Sequence, residues 1–196
     1  MSTATTANRA IKARQKASPD RIQADVINAQ AIVDQTIVEN KLHHLAESEE
    51  LELNNLPEGD ISVPLSFWLE HRADLLTRDS LVAVQIAADE DAADIADSLN
   101  DIAMIVLPMV AQIDGRSYSI AYFLRERYNY QGQIRAIGYV RLDQLGFLSR
   151  VGCNAFELHE GDNYQAALQA FTEFSDVYQP SADDGRLIFA RRRTTH

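Results

Sequence analysis

From Leu81 onward, short apolar runs alternate four times with amphipathic stretches, and this restricts the chain to a small set of folds. Leu81 to Ala87 is apolar apart from Gln85, the pattern of a strand buried on both faces. Asp89 stands where a helix cap belongs, ahead of Ala92, Ile95, Ala96 and Leu99 at helical spacing. Ile102 to Leu107 predicts a second strand, ended by Pro108, and Ser117 to Tyr128 a helix with Ile120, Ala121, Leu124 and Tyr128 inward. Asn129 suits a left-handed helix cap, and Gly132 opens the turn into a third strand at Ile134 to Gly138. Arg141 to Arg150 reads as a short helix stopped by Gly152, and Asn154 to Leu158 as the fourth strand. The last helix runs from Asn163 to Tyr178, before Gln179-Pro180.

Four consecutive strand–helix units imply an α/β fold with a parallel sheet and right-handed crossovers. Strands in sequential order place every helix on one face and make a half barrel, since 196 residues fall short of the roughly 250 of a full one. A single reversal of strand order makes a small doubly wound sheet instead. The half barrel is favoured, because the N-terminal segment is large and apolar enough to cover an open face. In either case the functional edge lies where the strands end, in the loops before the helices.

The remaining chain divides by composition. Residues 1–20 read as a flexible basic tail with Arg9, Lys12, Arg14 and Lys16. Residues 21–80 form an N-terminal hairpin and helix extension packing on the sheet, 81–180 the parallel α/β core, and 181–196 a flexible C-terminal tail containing Arg191-Arg192-Arg193. Within the extension, Ala31 to Glu39 holds two β-branched pairs around Asp34-Gln35, the pattern of a hairpin. A helix over Asp25 to Leu45 competes with it. Ile61 to Pro64 is a short extended piece and Leu65 to Leu76 a helix.

Composition narrows function by exclusion. A net charge of −11 argues against nucleic-acid binding by bulk electrostatics. The single Cys153 excludes a disulfide framework, a thiolate zinc site and a Cys-ligated cluster within one chain. No apolar run approaches a membrane span, and no signal-peptide pattern is present, so the expectation is a cytoplasmic domain. Neither G-x-G-x-x-G nor a Gly-Lys pair occurs, which argues against a dinucleotide fingerprint and a P-loop. None of the five His stands in a metal-ligand spacing, and His43-His44 read as solvated. Nothing in the residues specifies a cofactor or a catalytic group.

Charge is distributed unevenly. Asp114 to Arg150 holds six Arg against three acids, +3, whereas the rest of the chain carries −14. Arg is suited to bidentate recognition of carboxylate, phosphate or sulfate. Asp114-Gly115-Arg116-Ser117 falls between the second strand and its helix. Gly115 permits a tight turn, Ser117 can cap the helix, and Arg116 adds a fork of donors beside the helix N-terminus. The loops after the third and fourth strands bring Arg141, Asp143 and His159 to the same edge. These seven residues form the candidate small-anion site. The competing reading is a capped turn in which the arginines pair with the protein's own carboxylates.

Asp114-Gly-Arg-Ser-Tyr-Ser, Leu124-Arg-Glu-Arg-Tyr-Asn-Tyr-Gln-Gly, Ile134-Arg-Ala-Ile-Gly, Asp143-Gln-Leu, Arg150-Val-Gly and Ala155-Phe, at their observed spacing, resemble a bacterial family called domain of unknown function nine hundred thirty-four. The similarity runs from about Ala31 to Pro180. Members of that family are often labelled oxidoreductases, and their genes commonly lie beside those for assimilatory sulfite reductase. The resemblance implies a role in sulfate or sulfite assimilation without naming a reaction. Two departures stand out: Tyr139 replaces an acid usual in the family, and Val151 a Cys.

Three functions remain open. One is an accessory or oxidoreductase protein of sulfite reduction, binding a small oxyanion and working with sulfite reductase components. A second is a non-catalytic interaction protein that docks through its Arg-rich segment. A third is an unrelated barrel-type enzyme acting on a phosphorylated substrate. An open sheet with apolar surface also leads us to expect a homodimer.

Overall fold

A computed structural model describes residues 29–46, 51–110, 114–172 and 180–183. Eight strands form one sheet: β1 (Gln30–Val33), β2 (Thr36–Glu39), β3 (His43–His44), β4 (Ile61–Pro64), β5 (Val82–Gln85), β6 (Met104–Met109), β7 (Gln133–Gly138) and β8 (Ala155–Phe156). Their order is β2-β1-β8-β7-β6-β5-β4-β3. From β3 to β8 every neighbouring pair is parallel, with Val84 opposite Ile105, Val106 opposite Arg135, and Ala136 opposite Phe156. The four strands expected from the repeating pattern therefore lie side by side in sequential order, which is the half-barrel topology and not the doubly wound one. The whole sheet is mixed, because β1 runs antiparallel to β8 and to β2.

The β1–β2 hairpin forms as the β-branched residues direct. Asp34 and Gln35 both adopt positive φ, 46° and 60°, the turn geometry whose twist matches a two-residue hairpin. The hairpin extends the sheet at its edge beyond β8 rather than lying over a face. At the other edge β3 and β4 add two further parallel strands.

The helices are α1 (Leu65–Leu75), α2 (Arg116–Glu126), α3 (Leu145–Arg150) and α4 (Tyr164–Ala170). Three expectations are corrected. The helix expected after Asp89 is a 3-10 helix, Ala92–Asp101, capped by Asp91, whose carboxylate accepts from the Ala93 N–H at 2.9 Å. Its buried residues are Ala92, Ile95, Ser98 and Leu99, of which the first three recur every third residue, the period of that tighter winding. Pro108 does not end its strand. β6 runs on to Met109 because β5, which pairs only as far as Val106, has already ended, so the missing Pro108 N–H deprives no neighbour. The short helix over Arg141–Arg150 begins instead as a 3-10 turn, Leu142–Gln144. The helix expected over Asn163–Tyr178 ends at Ala170 with Phe171 as its C-cap, and residues 173–178, like most of both tails, lie outside the described residues.

The strength of the curl follows from one connection. Laid flat, eight strands would separate β2 from β3 by about 34 Å at roughly 4.8 Å per strand. The chain joins them with Asn40, Lys41 and Leu42, a link that spans at most about 14 Å. The sheet is therefore curled into a half barrel whose two ends approach each other. Its convex face packs Ile105, Leu107, Ile134 and Phe156 against helix residues Trp68, Leu124 and Leu148 to make the main core. On the concave face a smaller cluster, Leu42, Ala83, Met104, Val106 and Ile137, is closed by the β2–β3 link.

Candidate functional site

At the carboxyl edge of the sheet, the expected anion cradle is already occupied by the protein's own charges. Asp114 accepts from Arg116 Nε at 3.0 and 3.1 Å and from Nη2 at 2.5 Å, and also takes the Arg116 backbone N–H. These bonds hold the Asp114 carboxyl below its usual range. Gly115 occupies the cap position of α2. Ser117 does not cap the helix. It is buried, and its hydroxyl donates to the Pro108 carbonyl at 3.0 Å, tying α2 to the end of β6. Arg141 caps the turn after β7 and directs Nε toward Asp162 at 3.3 Å. His159 stacks edge-on against Tyr139 at 5.1 Å, and its Nδ1 lies 3.1 Å from the Glu160 carbonyl. Asp143 is exposed, and burial raises the Tyr118 hydroxyl above its ordinary pKa, with the Asp143 charge a smaller contribution. The β7 and β8 loops thus meet through Arg141–Asp162 and Tyr139–His159, while Arg116 turns back onto Asp114.

The other arginines of the basic segment also have intramolecular partners. Arg125 donates to the carbonyls of Gly152 (3.0 Å), Tyr130 (2.5 Å) and Gly132 (2.9 Å). Arg135 is buried against Glu157 at 3.1 Å. Arg150 lies 3.5 Å from Asp183, and Arg127 stands over the Tyr128 ring at 5.5 Å. Four of the six therefore meet a carboxylate, as the competing sequence reading required.

What these pairings leave outward is aromatic. On α2, Tyr122 and Phe123 are 38% and 48% exposed and meet edge-on at 6.1 Å. Arg116 precedes them by about two helical turns and Arg127 follows one turn on, both exposed. On α3, Phe147 is 65% exposed. Large rings together with Arg are the composition of protein interfaces.

A second polar constellation, which the sequence reading missed, lies inside the half barrel. His44 was expected to be solvated and is buried. Its Nδ1 lies 2.7 Å from Ser62 Oγ and its Nε2 3.1 Å from both Glu157 carboxylate oxygens. Gln85 Nε2 donates to Ser62 Oγ at 2.9 Å. Arg135 Nη1 donates to Glu157 and to Asn40 Oδ1, at 3.1 and 2.9 Å. Arg135 Nη1 and Gln85 Nε2 can only donate, so Glu157 accepts from the first and Ser62 Oγ from the second, while the His44 ring bridges Ser62 and Glu157. Ser62, His44 and Glu157 have the connectivity of a nucleophile, base and acid. However, Ser62 has no solvent exposure and its oxygen is already engaged, so the chain serves packing and closure, not nucleophilic attack. A sequence signal existed: Ser62, Gln85 and Arg135 each interrupt an apolar strand, and all three fall on its concave side.

Cys153 is buried, and burial pushes its thiol up to about 12, so it is held as an unreactive thiol. Among the described residues no helix is long and apolar enough to cross a membrane.

A family model described as "Bacterial protein of unknown function (DUF934)" matches residues 83–189, more than half of the chain. Comparisons with curated proteins and with solved structures return no match.

Proposed function

The chain belongs to this bacterial family of unknown function, and on that premise we propose that it is an accessory protein of assimilatory sulfite reduction that works by docking on an acidic surface of a partner component. The pathway rests on what the family resemblance implies. The mode of action rests on one observation: Tyr122 and Phe123 lie exposed on α2, one turn before the exposed Arg127. Two rings beside an exposed Arg suit a patch that buries apolar area at its centre and meets a carboxylate at its rim. Two features weigh against chemistry of its own at the sheet edge. Arg116 and Arg141 are already directed at Asp114 and Asp162, and the only cysteine is buried.

Growth of a deletion strain on sulfate or on cysteine as sole sulfur source tests both parts. Wild type is expected to restore growth on sulfate. The double variant Tyr122→Ser/Phe123→Ser, with its circular dichroism and melting unchanged, is expected to fail. Equal growth of the deletion strain on both sources removes the pathway. Full complementation by the double variant removes the docking face.

A further inference from the structure

We infer that Asn40 to His44 is a latched strap, which opens as a unit apart from the rest of the fold and uncovers the polar concave face. In the curled sheet β3 and β8 are five strand spacings apart, yet His44 on β3 touches Glu157 just after β8. Along the ladder, His44 aligns with Ser62, Ala83, Met104 and Gln133, whereas Glu157 lies two residues beyond the Ala155 that pairs with Arg135. His44 therefore reaches across the barrel with the stagger that closure demands, not along a row of neighbours.

Side chains supply most of what holds the strap. Asn40 Oδ1 accepts from Arg135, Leu42 fills the concave cluster, and His44 bonds Glu157 and Ser62. Its backbone adds an Asn40 N–H to Ala29 at 3.1 Å and the two-residue pairing of β3 with β4, flanked by a His43 N–H to Asp60 at 2.9 Å and a Leu45 N–H to Ser62 at 2.9 Å. Between these anchors Lys41 is exposed and pairs with Glu39 at 3.2 Å. The side-chain anchors all belong to the concave face, and none to the main core between sheet and helices. Releasing the strap thus breaks the smaller cluster while the larger one stays packed, which is the condition for sub-global opening. The groups uncovered are Ser62, Gln85, Arg135 and Glu157, contributed by four parts of the sheet.

The exposed Lys41 provides the assay. Trypsin cuts the Lys41–Leu42 bond only when the strap has left the barrel, and mass spectrometry reads the fragment beginning at Leu42. In the wild-type full chain, cleavage is expected to depend on urea far less steeply than global unfolding does. His44→Ala, which deletes the latch to a charged acceptor, is expected to accelerate it roughly 10- to 100-fold. Leu148→Ala, in the main core, is expected to leave the rate without urea within about twofold of wild type, although it lowers global stability. Should His44→Ala fail to fold, Asn40→Ala cuts the Arg135 tether and carries the same expectation. An unchanged rate in the latch variant, equal acceleration by Leu148→Ala, or a urea dependence as steep as global unfolding would each overturn the strap.

Discussion

Replacing Arg125 by Met should destabilise the protein by about 2–4 kcal/mol without touching any candidate functional group. Arg125 leaves α2 to donate to three carbonyls, those of Tyr130, Gly132 and Gly152, and its guanidinium lies 5.6 Å from the Tyr130 ring. It thereby fastens the entry of β7 to the loop that enters β8. A hydrogen bond to a charged donor contributes about 1.5–3 kcal/mol, so three would sum to roughly 5–9. The guanidinium is only half buried and water can replace it at the vacated carbonyls, so about half that sum is the larger share to expect. Burial opposes part of this gain, lowering the Arg125 pKa because desolvation penalises the charge. Lys should rescue little, since a single ammonium cannot present a fork to three acceptors. Equilibrium urea unfolding gives the free energy directly, and a thermal melt should fall by roughly 5–15 °C. A loss below about 1 kcal/mol, or full rescue by Lys, would refute the reasoning and show the three contacts to be incidental.

Further outcomes follow from the interior and the sheet edge. Glu157→Ala leaves Arg135 buried without its carboxylate and should cost about 3–5 kcal/mol, with formate restoring part of it. Denaturation with and without formate checks this, and a neutral variant would show the pair to be unnecessary. The Cys153 thiol ionises near 9 when unfolded and near 12 when folded, so the native state holds the extra proton between these values. Stability should be intact below pH 9 and decline as pH rises from 9 toward 12, and a thiol reagent at neutral pH should label Cys153 only on unfolding. Because Asp114 competes for Arg116, sulfite, sulfate or phosphate titrated calorimetrically should bind wild type and Arg116→Ala within about threefold of each other. A tenfold loss in the variant would restore Arg116 as an anion ligand.

Four apolar runs specify the strands of the parallel core, while the choice between a half barrel and a doubly wound sheet stays open along the chain. Leu81–Ala87, Ile102–Leu107, Ile134–Gly138 and Asn154–Leu158 each place a strand within a few residues of where it lies, because burial between sheet and helices demands continuous apolar residues. Asn129 at φ 50° and Gly152 at φ 111° were legible for the same local reason: only certain residues tolerate the turns that stop a helix there. The family was legible from ordered residues such as Arg125, Tyr130 and Gly132, although these prove to be joined by one structural hub rather than by a site. The rest emerges only once the sheet has folded. That Arg141 turns to Asp162 and Arg135 to Glu157 depends on which loops the sheet brings together, whereas the Arg116–Asp114 pair is local and open to the sequence. His44 and Glu157 stand 113 positions apart and become neighbours only because the sheet curls. Local pattern records which side of a strand a residue occupies, but it cannot record how far a sheet bends, because the bend is set by how eight strands pack together.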